Sequence, residues 1–140
     1  MIIKQVSVFL ENKSGRLREV TECLGNAGIN ISAFTVADTS DFGVLRLIVT
    51  DAEKACSVLR ENGFSVQTTE VLLVKSSNNP GSLTKLLKVI TDGGAFIEYM
   101  YAYSVAENEA IIVIRPSSIQ KCLQILNEHS EDFFLTNEIQ

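Results

Sequence analysis

The chain has 140 residues, 46% of them hydrophobic and 21% charged, which is the mixture of an ordinary folded protein with apolar material enough for a sizeable core. Twelve Lys and Arg against seventeen Asp and Glu leave a net charge of −5, without the clustered basic residues that nucleic acid or an anionic membrane surface would demand. No apolar run approaches the ~20 residues of a membrane span, and three cysteines, odd in number and far apart, suggest neither a disulfide framework nor a metal site.

The N-terminus lacks the pattern of a signal peptide; residues 2–10 alternate in polarity instead, with Val6, Val8 and Leu10 on one face of a strand. Together with unpaired thiols this points to a cytoplasmic protein. Ser14 is placed to cap a helix whose apolar positions, Leu17, Val20, Leu24 and Ala27, follow helical spacing, and Gly28 stands where such a helix stops. A β-branched and aromatic strand follows over 29–37, then a polar turn at 38–41 and a strand from Val44 to Val49. Ala52, Ala55, Cys56 and Leu59 mark a second helix that Gly63 ends, and Phe64 to Val66 opens a fourth strand.

The second half repeats this order. Displaced by 66 positions, Asn12-Lys13-Ser14-Gly15-Arg16-Leu17 falls on Asn78-Asn79-Pro80-Gly81-Ser82-Leu83, Gly28 on Gly94 and Ile31 on Ile97. The match runs without a gap from Val6 to Val49, and one extra residue then enters near Pro116. Strands are expected at 69–76, 96–105, 109–115 and 132–138. The helices carry Leu83, Leu86, Leu87 and Ile90 in one case and Ile119, Cys122, Leu123 and Leu126 in the other. The predicted class is α+β: two ferredoxin-like βαββαβ units in tandem, 1–70 and 71–140, with helices on one face of antiparallel sheets. Units of this size are marginal alone, so pairing them is physically sensible. Val44–Val49 and Ala110–Ile114 are apolar on both faces while helices cover only one, which predicts a homodimer or larger homo-oligomer through the other.

Each strand-to-helix turn places a glycine and short polar residues at a helix start, where free N–H groups and the helix dipole can receive a carboxylate. An unliganded capped turn would read the same way. Asn12 and Asn78 add both a donor and an acceptor. The repeated Asn-x-Ser/Pro-Gly-x-Leu segments inside βαββαβ units resemble the ACT domain, a small-molecule sensing module, usually for amino acids, in regulated metabolic enzymes and stand-alone regulators. Gly15, Leu17, Gly28, Asn30 and Ile31 match its pattern in the first repeat, and Pro80, Gly81, Leu83, Gly94 and Ile97 in the second. Asn12 and Asn78 replace the family's usual Asp, Ser14 its Pro, and Phe96 stands where the first repeat has Asn30.

The resemblance implies a free amino acid held at the seam between units, between the turn of one and the second strand of the other. The turn Asn12, Lys13, Ser14, Gly15, Arg16, Leu17 would face Glu98, Tyr99 and Met100. The turn Asn78, Asn79, Pro80, Gly81, Ser82, Leu83 would face Ser32, Ala33 and Phe34. Glu98 reads either as a partner for an ammonium group or as a solvated strand charge, and Arg16 as a carboxylate ligand or an exposed helix arginine. Tyr99, Tyr101 and Tyr103 alternate along one strand face and serve either packing or a planar ligand. The single histidine, His129, has no fixed acid or nucleophile beside it, and neither the dinucleotide fingerprint nor the P-loop occurs. The expectation is a regulatory amino-acid sensor without catalysis, cofactor or metal. The alternative is a regulatory subunit docking on an amino-acid biosynthetic enzyme.

Overall fold

The computed structural model describes residues 2–11, 13–38 and 41–135. In chain order the elements are β1 (Ile2–Glu11), α1 (Arg16–Asn26), β2 (Ile31–Asp38), β3 (Phe42–Val49), α2 (Ala52–Glu61), β4 (Ser65–Ser77), α3 (Ser82–Asp92), β5 (Ile97–Val105), β6 (Glu109–Pro116), α4 (Ile119–Glu128) and β7 (Phe134–Leu135). The two strands expected at 64–66 and 69–76 are one continuous strand, β4. Nothing between them could break it: Gln67, Thr68 and Thr69 include neither glycine nor proline, and threonine favours extended backbone. Of the strand expected at 132–138, residues 136–138 lie outside the described residues.

Two compact units divide the chain. One is Lys4–Thr69; the other begins at Glu70 and also takes Ile2 and Ile3. In the first, β3 pairs antiparallel with β2 on one side and β1 on the other. Val6, Val8 and Leu10 of β1 and Leu45, Leu47 and Val49 of β3 meet Val20 and Leu24 of α1 and Ala55, Cys56 and Leu59 of α2. In the second, β6 pairs antiparallel with β5 and β4, and β7 pairs with β4. Leu72 and Val74, together with Ile112 and Ile114, receive Leu86 and Ile90 from α3 and Cys122 and Leu126 from α4. Each fully buried aliphatic side chain contributes about 1.5–3 kcal/mol, and the two cores are separate sets.

The outward residues of the central strands are buried to different degrees, Val44 being half-buried. Ile48 and Val113 are wholly buried and Ile111 is 8% exposed.

β2 and β5 share an irregularity. Ile31 pairs with Val49 and Ala33 with Ile48, so Ser32 is the extra residue of a β-bulge. Ile97 pairs with Pro116 and Tyr99 with Arg115, which makes Glu98 the extra residue 66 positions later. The bulge shifts the alternation of β2. Beyond it, Phe34 pairs with Leu47 and Val36 with Leu45, on the helix-covered face. A second shift in β5, between Ala102 and Ser104, has no counterpart in β2. It corrects the sequence alignment of the repeats: the extra residue is Tyr103, not one near Pro116. Leu47 on Val6 corresponds to Ile114 on Leu72, so the offset is already 67 in β6.

The candidate ligand-binding site

Four helices begin in two different ways. α2 and α4 are capped by side chains: the Asp51 carboxylate accepts from Lys54 N (3.1 Å) and the Ser118 hydroxyl from Lys121 N (3.3 Å). α1 and α3 begin at Gly15 and Gly81, left-handed at φ +87° and +89°, with no side-chain cap. Ser14, expected to cap α1, does not. The left-handed glycine occupies the N-cap position itself, and Ser14 sits in the turn before it. Arg16 N donates to Lys13 O at 3.4 Å and Ser82 N to Asn79 O at 3.0 Å, so it is the following first-turn amides that lack intrahelical acceptors, at the positive end of the dipole.

In the first unit this turn forms one wall of a cavity of about 290 Å³. Lys13, Ser14, Gly15, Arg16 and Leu17 all line it; Asn12 lies outside the described residues. Leu10 and Glu11 contribute from the end of β1, Val36 from β2 and Gly43 from β3. Those four escape sequence reasoning. Glu11 could have been found as the carboxylate next to the turn, whereas Val36 and Gly43 are brought there only by strand pairing. Glu11 and Lys13 form an ion pair of 2.7 Å at the rim, and the hydrogen bond and charge of Lys13 hold the Glu11 carboxyl below its ordinary value. The unit therefore presents a carboxylate here although position 12 is a neutral Asn.

Two contacts hold the Arg16 side chain. Its Nη1 donates to Glu19 Oε2 at 2.9 Å, its Cζ lies 4.9 Å from the centre of the Phe64 ring, and its side chain is 30% exposed. Its Nε is buried with no hydrogen-bond partner among the described residues. Beside the turn cavity, a groove of about 260 Å³ lies between α1 and β2 and shares Leu17 and Val36 with it. On β2, Ser32 is the bulge residue, Ala33 is buried and Phe34 is 66% exposed.

The second turn has its polar groups engaged. Asn78 Nδ2 donates to Ala106 O at 2.6 Å, and Asn78 N donates to Asn108 O. The Ser82 hydroxyl is 2.8 Å from that of Ser77 and accepts from Asn79 N at 3.2 Å. Asn79, Pro80, Gly81 and Leu83 are exposed. On β5, the exposed Glu98 carboxylate accepts from Arg115 Nε at 3.4 Å, while Arg115 Nη1 donates to Glu70 O at 2.7 Å. Tyr99 and Met100 are half-buried, and Met100 packs on the second core. Because of the bulges, strict alternation fails along β5: Ile97 and Met100, three residues apart, pack on the same core. His129 is half-buried at the end of α4, its Nδ1 3.0 Å from Ile125 O. Among the described residues no cluster of three His, Cys, Asp or Glu could hold a metal, and no helix is long and apolar enough to cross a membrane.

Comparison with known proteins agrees with this architecture. A crystal structure of a protein from Bacteroides thetaiotaomicron is 47% identical and superposes with a TM-score of 0.90, over 96% of this chain and 93% of that one. The ligand-free regulatory subunit of aspartate kinase from Thermus thermophilus is 14% identical at a TM-score of 0.65, over 91% of this chain and 96% of that one. The corresponding subunit from Thermus flavus is 16% identical at 0.65, over 91% and 94%. At these identities the two subunits share the fold. No curated protein sequence matches. The family model described as an ACT domain pair matches residues 1–140, and the chain belongs to that family.

Proposed function

We propose that this protein is a regulatory sensor of a free amino acid, bound at the turn of the first unit. The observation that carries the reading is the turn cavity itself. It joins an uncapped helix start, a left-handed glycine and a carboxylate around an apolar floor. The ligand carboxylate accepts from the first-turn amides of α1, where Gly15 has no Cβ to keep it off. The ligand ammonium donates to Glu11 and displaces Lys13. That exchange costs little, because the Glu11–Lys13 pair is solvent-exposed and screened. In the free protein Lys13 holds the Glu11 carboxyl below its ordinary value, so the carboxylate is ionised and available to an ammonium at neutral pH.

Leu17, Val36 and Gly43 lie on three different elements, so a bound ligand ties α1 to the β2–β3 hairpin. A ligand with different affinity for two arrangements of these elements shifts their populations, which is what regulation requires. The same chemistry at the second turn, and a seam with another unit or a second copy completing either site, are part of this proposal. Likeness in fold and length to regulatory subunits of aspartate kinase supports a second reading, in which the chain docks on a biosynthetic enzyme; co-purification of such an enzyme tests it. The primary reading is tested by a thermal-shift screen of the twenty amino acids. A ligand at ~100 times its dissociation constant adds ~2.7 kcal/mol of stability, and a screen in which none stabilises the chain refutes the proposal.

A further inference from the structure

Resting on the reading of the turn as an amino-acid site, we infer that the ligand carries an apolar side chain, branched or aromatic, and that the groove between α1 and β2 receives it. The groove adjoins the turn cavity, with which it shares Leu17 and Val36, so an amino acid whose carboxylate sits at the turn has the groove within reach of its side chain. Its floor is the core itself: Leu45 and Leu47, 2% and 1% exposed. Its outer wall is Phe34, 66% exposed, turned onto this face by the bulge at Ser32. The volume of about 260 Å³ exceeds the ~150 Å³ in which an apolar cavity holds benzene.

Selection against other ligands is the stronger half of the argument. Among the described residues, the one side-chain polar group on the groove is the Thr21 hydroxyl, which donates to Arg18 O at 2.9 Å. A carboxylate side chain entering here would surrender its water and find no donor, and an ammonium or amide would find only the lone pairs of that one hydroxyl. An aliphatic or aromatic side chain surrenders none.

The experiment is calorimetry on the full chain with phenylalanine, leucine, alanine, aspartate and lysine. The wild type should bind leucine or phenylalanine at least tenfold more tightly than alanine, since one methylene in an apolar pocket is worth about 10–200-fold. Thr21→Asp, an exposed helix position, should weaken that binding at least tenfold, while Thr21→Val should preserve it. If aspartate or lysine binds as tightly as leucine, or Thr21→Asp leaves the affinities unchanged, the inference fails and the amino-acid reading stands. If Thr21→Asp instead dissociates an oligomer in sedimentation with ligand affinities intact, the groove belongs to a second copy and the inference is overturned. If no amino acid binds the wild type, the reading beneath it falls as well.

Discussion

Replacing Gly15 with alanine separates the turn's role in folding from its role in binding. The added Cβ would meet nothing within 4 Å, so there is no clash to relieve. The cost is conformational: at φ +87° an L-residue is in the left-handed region, at about 1–2 kcal/mol. Gly28, at φ +74° beyond the end of α1 and likewise with open space around it, carries the same cost and does not line the turn cavity. Both Gly15→Ala and Gly28→Ala should therefore lower the urea midpoint alike, by about 0.5–1 M for a slope of about 2 kcal/mol/M. Against a typical ~5–15 kcal/mol of total stability, both variants stay folded. Only Gly15→Ala puts a methyl group beside the first-turn amides of α1. Losing a hydrogen bond to a charged group costs about 1.5–3 kcal/mol, so its affinity for the stabilising amino acid should fall at least tenfold while that of Gly28→Ala stays constant. Calorimetry at neutral pH decides. Equal affinities in the two variants, or parallel losses, would refute the assignment of the carboxylate to this turn.

Three further outcomes follow from packing and charge. At Gly93, which has ordinary helical backbone, an added Cβ would lie 2.6 Å from Ile125 Cδ1 and 2.7 Å from its Cγ1. Overpacking of about 1–3 kcal/mol outweighs the ~0.4–1 kcal/mol that Gly→Ala gains from the unfolded chain, so Gly93→Ala destabilises. Ile125→Val in that background should recover part of the loss in denaturant titration, and a stabilised Gly93→Ala contradicts the contact. Burial pushes the Cys122 thiol up to about 11 and raises that of Cys56. At pH 8 a thiol reagent should modify the half-buried Cys23 in the native protein and the other two only on unfolding; equal rates at all three would count against the two cores. Glu98→Gln removes one exposed contact of Arg115, whose Nη1 remains on Glu70 O, so stability should change by less than ~1 kcal/mol. A tenfold loss of ligand affinity in this variant would show instead that Glu98 holds an ammonium group.

The helices were legible because each buries a stripe at helical spacing and three of the four are followed by a glycine, as α1 is when Gly28 turns left-handed and Ile29 N returns to Leu24 O at 2.9 Å. The strands of the core were legible by the same reasoning applied at period two: Val6, Val8 and Leu10 do share a core face. What could not be read is whatever depends on pairing across the sheet. Nothing local in Ile31-Ser32-Ala33 or Ile97-Glu98-Tyr99 announces a bulge, because the two-against-one count exists only relative to β3 and β6. For the same reason Val36 and Gly43 could not be foreseen beside Gly15, and the extra residue of the second repeat was placed near Pro116 when β5 absorbs it at Tyr103. The cap of α1 was misread because Ser14 has the right chemistry one position too early, and a side-chain rule does not anticipate a glycine taking the N-cap by backbone conformation alone.

The two kinds of bulge also order events in the history of the chain. Ser32 and Glu98 occupy the same irregularity in both units, although one is a hydroxyl and the other a carboxylate, and the residues after them have diverged to Ala-Phe and Tyr-Met. An irregularity present at corresponding positions of both copies is most simply inherited from the single ancestral unit, before duplication. Tyr103 belongs to one copy only, and so records an insertion, or a deletion in its sister, after the copies parted. Backbone geometry has thus outlasted the side chains that decorate it, leaving each unit free to acquire its own chemistry on a common frame.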